Sequence, residues 1–122
     1  MSQTIETALK EVMALDGAAG ASLVDYESGM PLGIQVTGEI DLDVASAVTT
    51  DIVRTQVKAF KALQIEDSIE DILISLDTQY HLIRVIDRGQ DRLLMYVALE
   101  REKANLALAR LTLRRIAREL GV

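Results

Sequence analysis

A chain of 122 residues has the length of one domain, here residues 1–122, and at 49% hydrophobic residues it can bury a continuous core. It has no cysteine, which excludes disulfides and thiolate metal sites. The net charge of −6 is split: residues 1–100 carry 7 Lys/Arg against 17 Asp/Glu, and residues 101–122 carry 6 against 2. An acidic body disfavours nucleic acid, whose binding rests largely on phosphate neutralisation, and leaves only the C-terminal segment able to meet an anionic partner or membrane. Charges interrupt every hydrophobic run well short of the roughly 20 residues that cross a bilayer, and Glu6, Lys10 and Glu11 make the start unlike a signal peptide. A soluble, cytoplasmic protein is expected.

Tryptophan is absent and aromatics are 3%, so the core is expected to be Leu, Ile, Val, Ala and Met with Phe60 as its one phenylalanine. Ile5, Ala8, Leu9, Val12 and Met13 recur at helical spacing, with Ser2 or Thr4 as a cap and Asp16-Gly17 as the stop. Residues 18–25 and 30–36 then read as two strands joined through Tyr26, Glu27, Ser28 and Gly29, with Pro31 at the start of the second. A second helix is predicted over 42–63, capped by Asp41 or Asp43. Its apolar residues Val44, Val48 and Ile52, beside Ala45, Val53, Val57, Phe60 and Leu63, fill more than the one stripe needed to pack on a sheet. The surplus predicts a second contact, a dimer interface through this helix.

Three strands in meander follow over 69–76, 80–86 and 93–99, with turns at 77–79 and 87–91. Adjacent apolar pairs within them predict that both sheet faces are covered. A last helix is read from 100 to 120, with Leu106, Ala109, Leu113, Ile116 and Leu120 on one face and Gly121 as its end. The order α-β-β-α-β-β-β-α gives an α/β (α+β) domain: a five-stranded antiparallel sheet sandwiched by helices.

No constellation carries chemistry. Gly17-Ala-Ala-Gly20-Ala-Ser22 looks like a phosphate loop but follows a helix, enters a strand and lacks a lysine; its small residues suit a strand lying close under a helix. Glu39, Asp41 and Asp43 alternate like calcium ligands without the loop's glycine and final glutamate, and read instead as a helix-capping cluster. His81 has no second histidine or cysteine to share a metal and no nearby serine forms a triad, so it is read as packing or meeting solvent. No catalytic, cofactor-binding or metal-binding residue is therefore expected. Arg110, Arg114 and Arg118, with Arg115 beside them, form a basic stripe able to dock an acidic partner or membrane, but read chiefly as a solvated face offsetting the helix dipole.

The chain resembles the roadblock, or dynein-light-chain roadblock, family. The matching residues are Gly17-Ala-Ala-Gly20-Ala-Ser22-Leu-Val-Asp25 and the Glu27-Ser-Gly29 turn, then Glu70-Asp-Ile-Leu-Ile-Ser75 and Gln79-Tyr-His-Leu-Ile-Arg84. Leu93-Leu-Met-Tyr-Val-Ala-Leu-Glu-Arg101 and Ala104-Asn-Leu-Ala-Leu-Ala-Arg110 complete them, and the last helix is longer than the family's minimal pattern.

The resemblance implies a roadblock/profilin-like fold of the bacterial GTPase-regulator kind. It also implies a dimer in which the second helices pack together and the third strands pair across the axis. The interface is placed at Val44, Val48, Ile52, Thr55, Ala59, Ile69 and Ile72. It further implies a non-catalytic homodimeric module that regulates or scaffolds a small Ras-like GTPase. The alternative from another class is a small-molecule-sensing regulatory domain, which needs a cavity with convergent polar groups, whereas the closely spaced aliphatics predict a filled core.

Overall fold

The computed structural model describes residues 4–121. Along the chain run α1 (Ile5–Met13), β1 (Ala18–Asp25), β2 (Pro31–Val36), α2 (Leu42–Ala62), β3 (Asp71–Ser75), β4 (Gln79–Asp87), β5 (Arg92–Glu100) and α3 (Leu106–Gly121). The element order is the one expected. The strands lie in the order β2-β1-β5-β4-β3, every neighbouring pair antiparallel, so the first hairpin and the later meander meet where β1 pairs with β5. This arrangement leaves β2 and β3 as the two edges.

Local chemistry sets the helix starts. Thr4 caps α1, its hydroxyl accepting the Thr7 N–H at 3.1 Å while Thr7 Oγ1 accepts the Thr4 N–H at 3.2 Å; Ser2 lies outside the described residues. Asp41 caps α2, accepting from the Asp43 and Val44 N–H groups at 3.1 and 3.2 Å. Helix α1 ends at Met13, earlier than Asp16-Gly17, and Gly17 instead makes a turn at φ +84°. A Cβ there would stand 2.8 Å from the Glu100 carbonyl oxygen, so glycine is what lets β1 start against the end of β5.

Two apolar layers sandwich the sheet. On one face Leu9 and Val12 of α1 and Leu113 and Ile116 of α3 pack on Leu23, Leu82, Met95 and Val97. On the other, Leu42 and Val53 of α2 pack on Val24, Ile83, Leu94 and Ala98. Strand β5 supplies both layers by alternation, which is why residues 93–99 are continuously apolar and buried. Of the buried hydroxyls under α2, those of Ser46 and Ser22 meet at 3.0 Å, and Thr50 donates to the Ser46 carbonyl at 3.0 Å. This is the close approach that the small residues of β1 allow, Gly20 lying against Leu42.

Four expectations need correction. Helix α3 starts at Leu106 rather than at residue 100, because Asn105 Oδ1 accepts the Leu108 N–H at 3.0 Å and residues 101–105 form a turn and link. Strand β3 keeps only five residues of the predicted 69–76, since it has a partner on one side alone. Phe60 is half-buried at the rim, and the buried core aromatic is Tyr96. Coverage of the two faces is unequal: α2 lies over β1, β2 and β5, and the β3 margin of that face has no helix of its own.

Candidate functional site

The unevenly covered face is where the sequence placed its surplus stripe. Val44 and Val48 are 58% and 50% exposed, and with half-buried Ile52 they line the flank of α2 that overlooks β3 and β4. Between that flank and the sheet runs an apolar groove of about 390 Å³, floored by Ile74, His81, Ile83 and Tyr96. Helical spacing carries the stripe on to exposed Thr55 and half-buried Ala59. Thr55 donates its hydroxyl to the Asp51 carbonyl at 2.8 Å, so its methyl group is left to contribute to the surface.

Half-buried Ile72 lies on β3 and packs against the α2 layer. Ile69 does not join the groove. It sits in the link before β3 and lines a second cleft of about 400 Å³ with Tyr26, Val57, Phe60 and Ile65. Beside these run the groups of the β3 edge, where each residue has backbone pairing to β4 only.

The groove floor holds one polar cluster that sequence reasoning did not assemble. His81 Nε2 lies 2.8 Å from Gln79 Oε1 and Nδ1 lies 3.1 Å from the Tyr96 hydroxyl, with the two rings edge to face. Burial holds the His81 imidazole below its ordinary value of 6.5 and pushes the Tyr96 phenol above 10.0. Register brings the three together: His81 and Gln79 are two apart on one strand, and Tyr96 is opposite Ile83 on the next. Ile74, two residues after Ile72, could have been found from strand period alone.

Three arginines of the largely exposed basic stripe of α3 make ion pairs. Arg110 pairs with Asp71 at 3.2 Å, Arg114 with Glu70 at 3.1 Å, and Arg115 with Glu11 and Glu119. Glu70 also takes Arg84 at 3.0 Å, and these hydrogen bonds and charges hold its carboxyl below 4.5. The arginines thus tie α3 to the start of β3.

Among the described residues no group of three or more His, Cys, Asp or Glu could hold a metal ion, and no helix is long and apolar enough to cross a membrane. No protein-family model matches the sequence, and no curated protein matches it significantly. Solved structures do. The MglB of Myxococcus xanthus superposes with a TM-score of 0.82 at 19% identity, over 96% of this chain and 91% of that one. The gliding protein MglB of Thermus thermophilus gives 0.81 at 16% identity, over 96% and 85%. A Roadblock/LC7 domain from Streptomyces avermitilis gives 0.76 at 13% identity, over 91% and 88%. The chain therefore has the fold shared by the Roadblock/LC7 domain and the MglB proteins.

Proposed function

We propose that the chain is a non-catalytic homodimeric interaction module that regulates or scaffolds a small Ras-like GTPase. The observation that carries the dimer is the exposed Val44, Val48 and Ile52 flank of α2 beside the apolar groove and the unpaired β3 edge. A second copy related by a two-fold axis would lay its own α2 along this flank and pair β3 with β3, extending the sheet across the axis. The assembled face is then broad enough for the roughly 1,200–2,000 Å² that a specific complex buries. The GTPase reading rests on the roadblock resemblance of the sequence and is supported by the fold shared with the MglB proteins.

Sedimentation equilibrium tests the first half: a dimer at micromolar concentration is expected, and a monomer at high micromolar concentration overturns it. Titration calorimetry against the small GTPases of the source cell, each in its GDP and GTP forms, tests the second. A sensor reading has one observation in its favour, the cleft of about 400 Å³ where Tyr26, Phe60, Lys61 and Arg92 converge. Binding of a small metabolite with no binding of any GTPase would select it.

A further inference from the structure

The other edge of the sheet carries a feature that the dimer does not use. Along β2 the side chains alternate, and Leu32, Ile34 and Val36, with Met30 just before them, are between 37% and 65% exposed. Their β1 neighbours Gly20 and Ser22 lie under α2, so this stripe stands on the α2 side of the sheet; on the other side α1 closes over Gly33, with Leu9 and Ile5 against it.

The backbone matches. The Thr37 N–H donates to the Ala19 carbonyl at 3.0 Å, so by the period of two Gln35 and Gly33 turn their polar groups to β1, while Ile34 and Val36 turn theirs outward. An edge that offers both free backbone groups and an apolar row is a template for another strand.

Charge decides which strand. From residue 11 to residue 53 the chain has eight acidic residues and no Lys, Arg or His, and Arg54, next in sequence, has its guanidinium engaged by the Tyr26 and Glu27 carbonyls at 3.0 and 2.7 Å. Glu27 stands before one end of β2, and Glu39 and Asp41 follow the other. Among the described residues no ion pair engages Glu27, Glu39, Asp43 or Asp51. Two copies meeting edge to edge would bring these carboxylates together, which disfavours self-association here, whereas a basic segment gains by approaching. We infer that the β2 edge receives an extended segment of another protein, apolar at alternate positions and rich in Lys or Arg, which adds as a sixth strand. Main-chain bonds at Ile34 and Val36 supply affinity, the apolar row fixes the register, and the acidic surroundings select the sign of the partner.

The probe is a peptide of about ten residues alternating valine with lysine, and its control alternates valine with glutamate. The lysine peptide is expected to bind, to slow amide exchange at Ile34 and Val36, and to weaken about tenfold between roughly 50 and 300 mM salt. Ile34→Pro removes an outward N–H without touching the β1 ladder and should weaken it about fivefold. The double variant Glu27→Lys and Glu39→Lys changes only exposed positions and should weaken it at least as much. Equal binding of the two peptides, no change in exchange at Ile34 and Val36, or concentration-dependent protection of those amides in the protein alone, which would mean that a second copy occupies the edge, would each overturn the inference.

Discussion

His81 lies between two hydrogen-bonding neighbours in an apolar groove. Gln79 Oε1 can only accept, so Nε2 carries the ring hydrogen, and Nδ1 is left as the acceptor for the Tyr96 hydroxyl. Protonating Nδ1 would place a cation in a half-buried apolar groove, and burial disfavours that charge even though the Tyr96 hydroxyl can turn to accept from it. The folded ring therefore resists a proton that the unfolded chain accepts near pH 6.5. Stability should be unaffected above that pH and should fall as the pH drops from 6.5 towards the lower folded value, because the unfolded state then binds more protons. Glu70, held below 4.5 first by its hydrogen bond to Arg84, loses its contribution only in a more acid window, so the two are separable. Urea melts at a series of pH values, with His81→Gln as the comparison, measure this. A midpoint at or above 6.5 for the folded ring by NMR would refute it. Two glycines give a second residue-scale contrast. At Gly17 a new methyl meets fixed backbone at a positive φ, and Gly17→Ala should cost about 2 kcal/mol or more. At Gly33 it meets side chains rather than backbone, the end of Leu9 and the branch methyl of Ile5, and the overpacking of Gly33→Ala should cost about 1 kcal/mol in the same melts.

At the scale of elements, most of the fold was legible because periodicity reports burial directly. The alternation of β5 between two layers leaves a continuous apolar run, and the three- and four-residue steps of α1 and α3 mark their buried faces, whereas the buried face of α2 is Leu42, Ser46, Thr49, Thr50 and Val53 and its apolar steps include the exposed Val44 and Val48. What failed were features set by neighbours in space. Residues 101–105 carry charges that suit a helix, yet the chain needs them to turn from β5 back over the sheet, and the cap falls at Asn105. The ion pairs of Arg110 and Arg114 were not legible because their partners Asp71 and Glu70 are some forty residues away in sequence and meet them only once β3 is in place. Their expected role is local. Arg110→Ala and Arg114→Ala should each change global stability by less than about 1 kcal/mol, as exposed ion pairs do, while speeding amide exchange along β3. Exchange in β3 that is unchanged in both variants would show that α3 does not hold this edge.

For the whole molecule, the candidate site was half legible. The stripe of Val44, Val48 and Ile52 is visible in the sequence as apolar residues that one sheet cannot use, but the groove floor depends on which strands lie beside each other, and Ile69, placed at the interface by the resemblance, lines a separate cleft in the single chain. The proposed dimer gives this stripe a decisive test. In a two-fold assembly every substitution occurs twice, so a charge placed at Ile52 or Val48 appears on both sides of the axis and meets its own copy as well as an apolar surface. A charge stranded without water or partner costs several kcal/mol, about 3 kcal/mol being already more than a hundredfold in dissociation constant. At Val48 the monomer bears no such cost, because the residue is half exposed there and a polar side chain remains in water, whereas half-buried Ile52 packs on the α2 layer and its substitution also costs some monomer stability. Val48→Asp and Ile52→Arg should therefore give folded monomers, with the helical circular dichroism of the parent and half its mass by sedimentation. A GTPase whose binding surface spans both copies should then lose affinity in proportion to the loss of dimer, whereas Thr7→Ala, which alters the α1 cap on the far face, should leave both dimer and binding intact. Dimers that persist in both charged variants would place the interface elsewhere on the molecule.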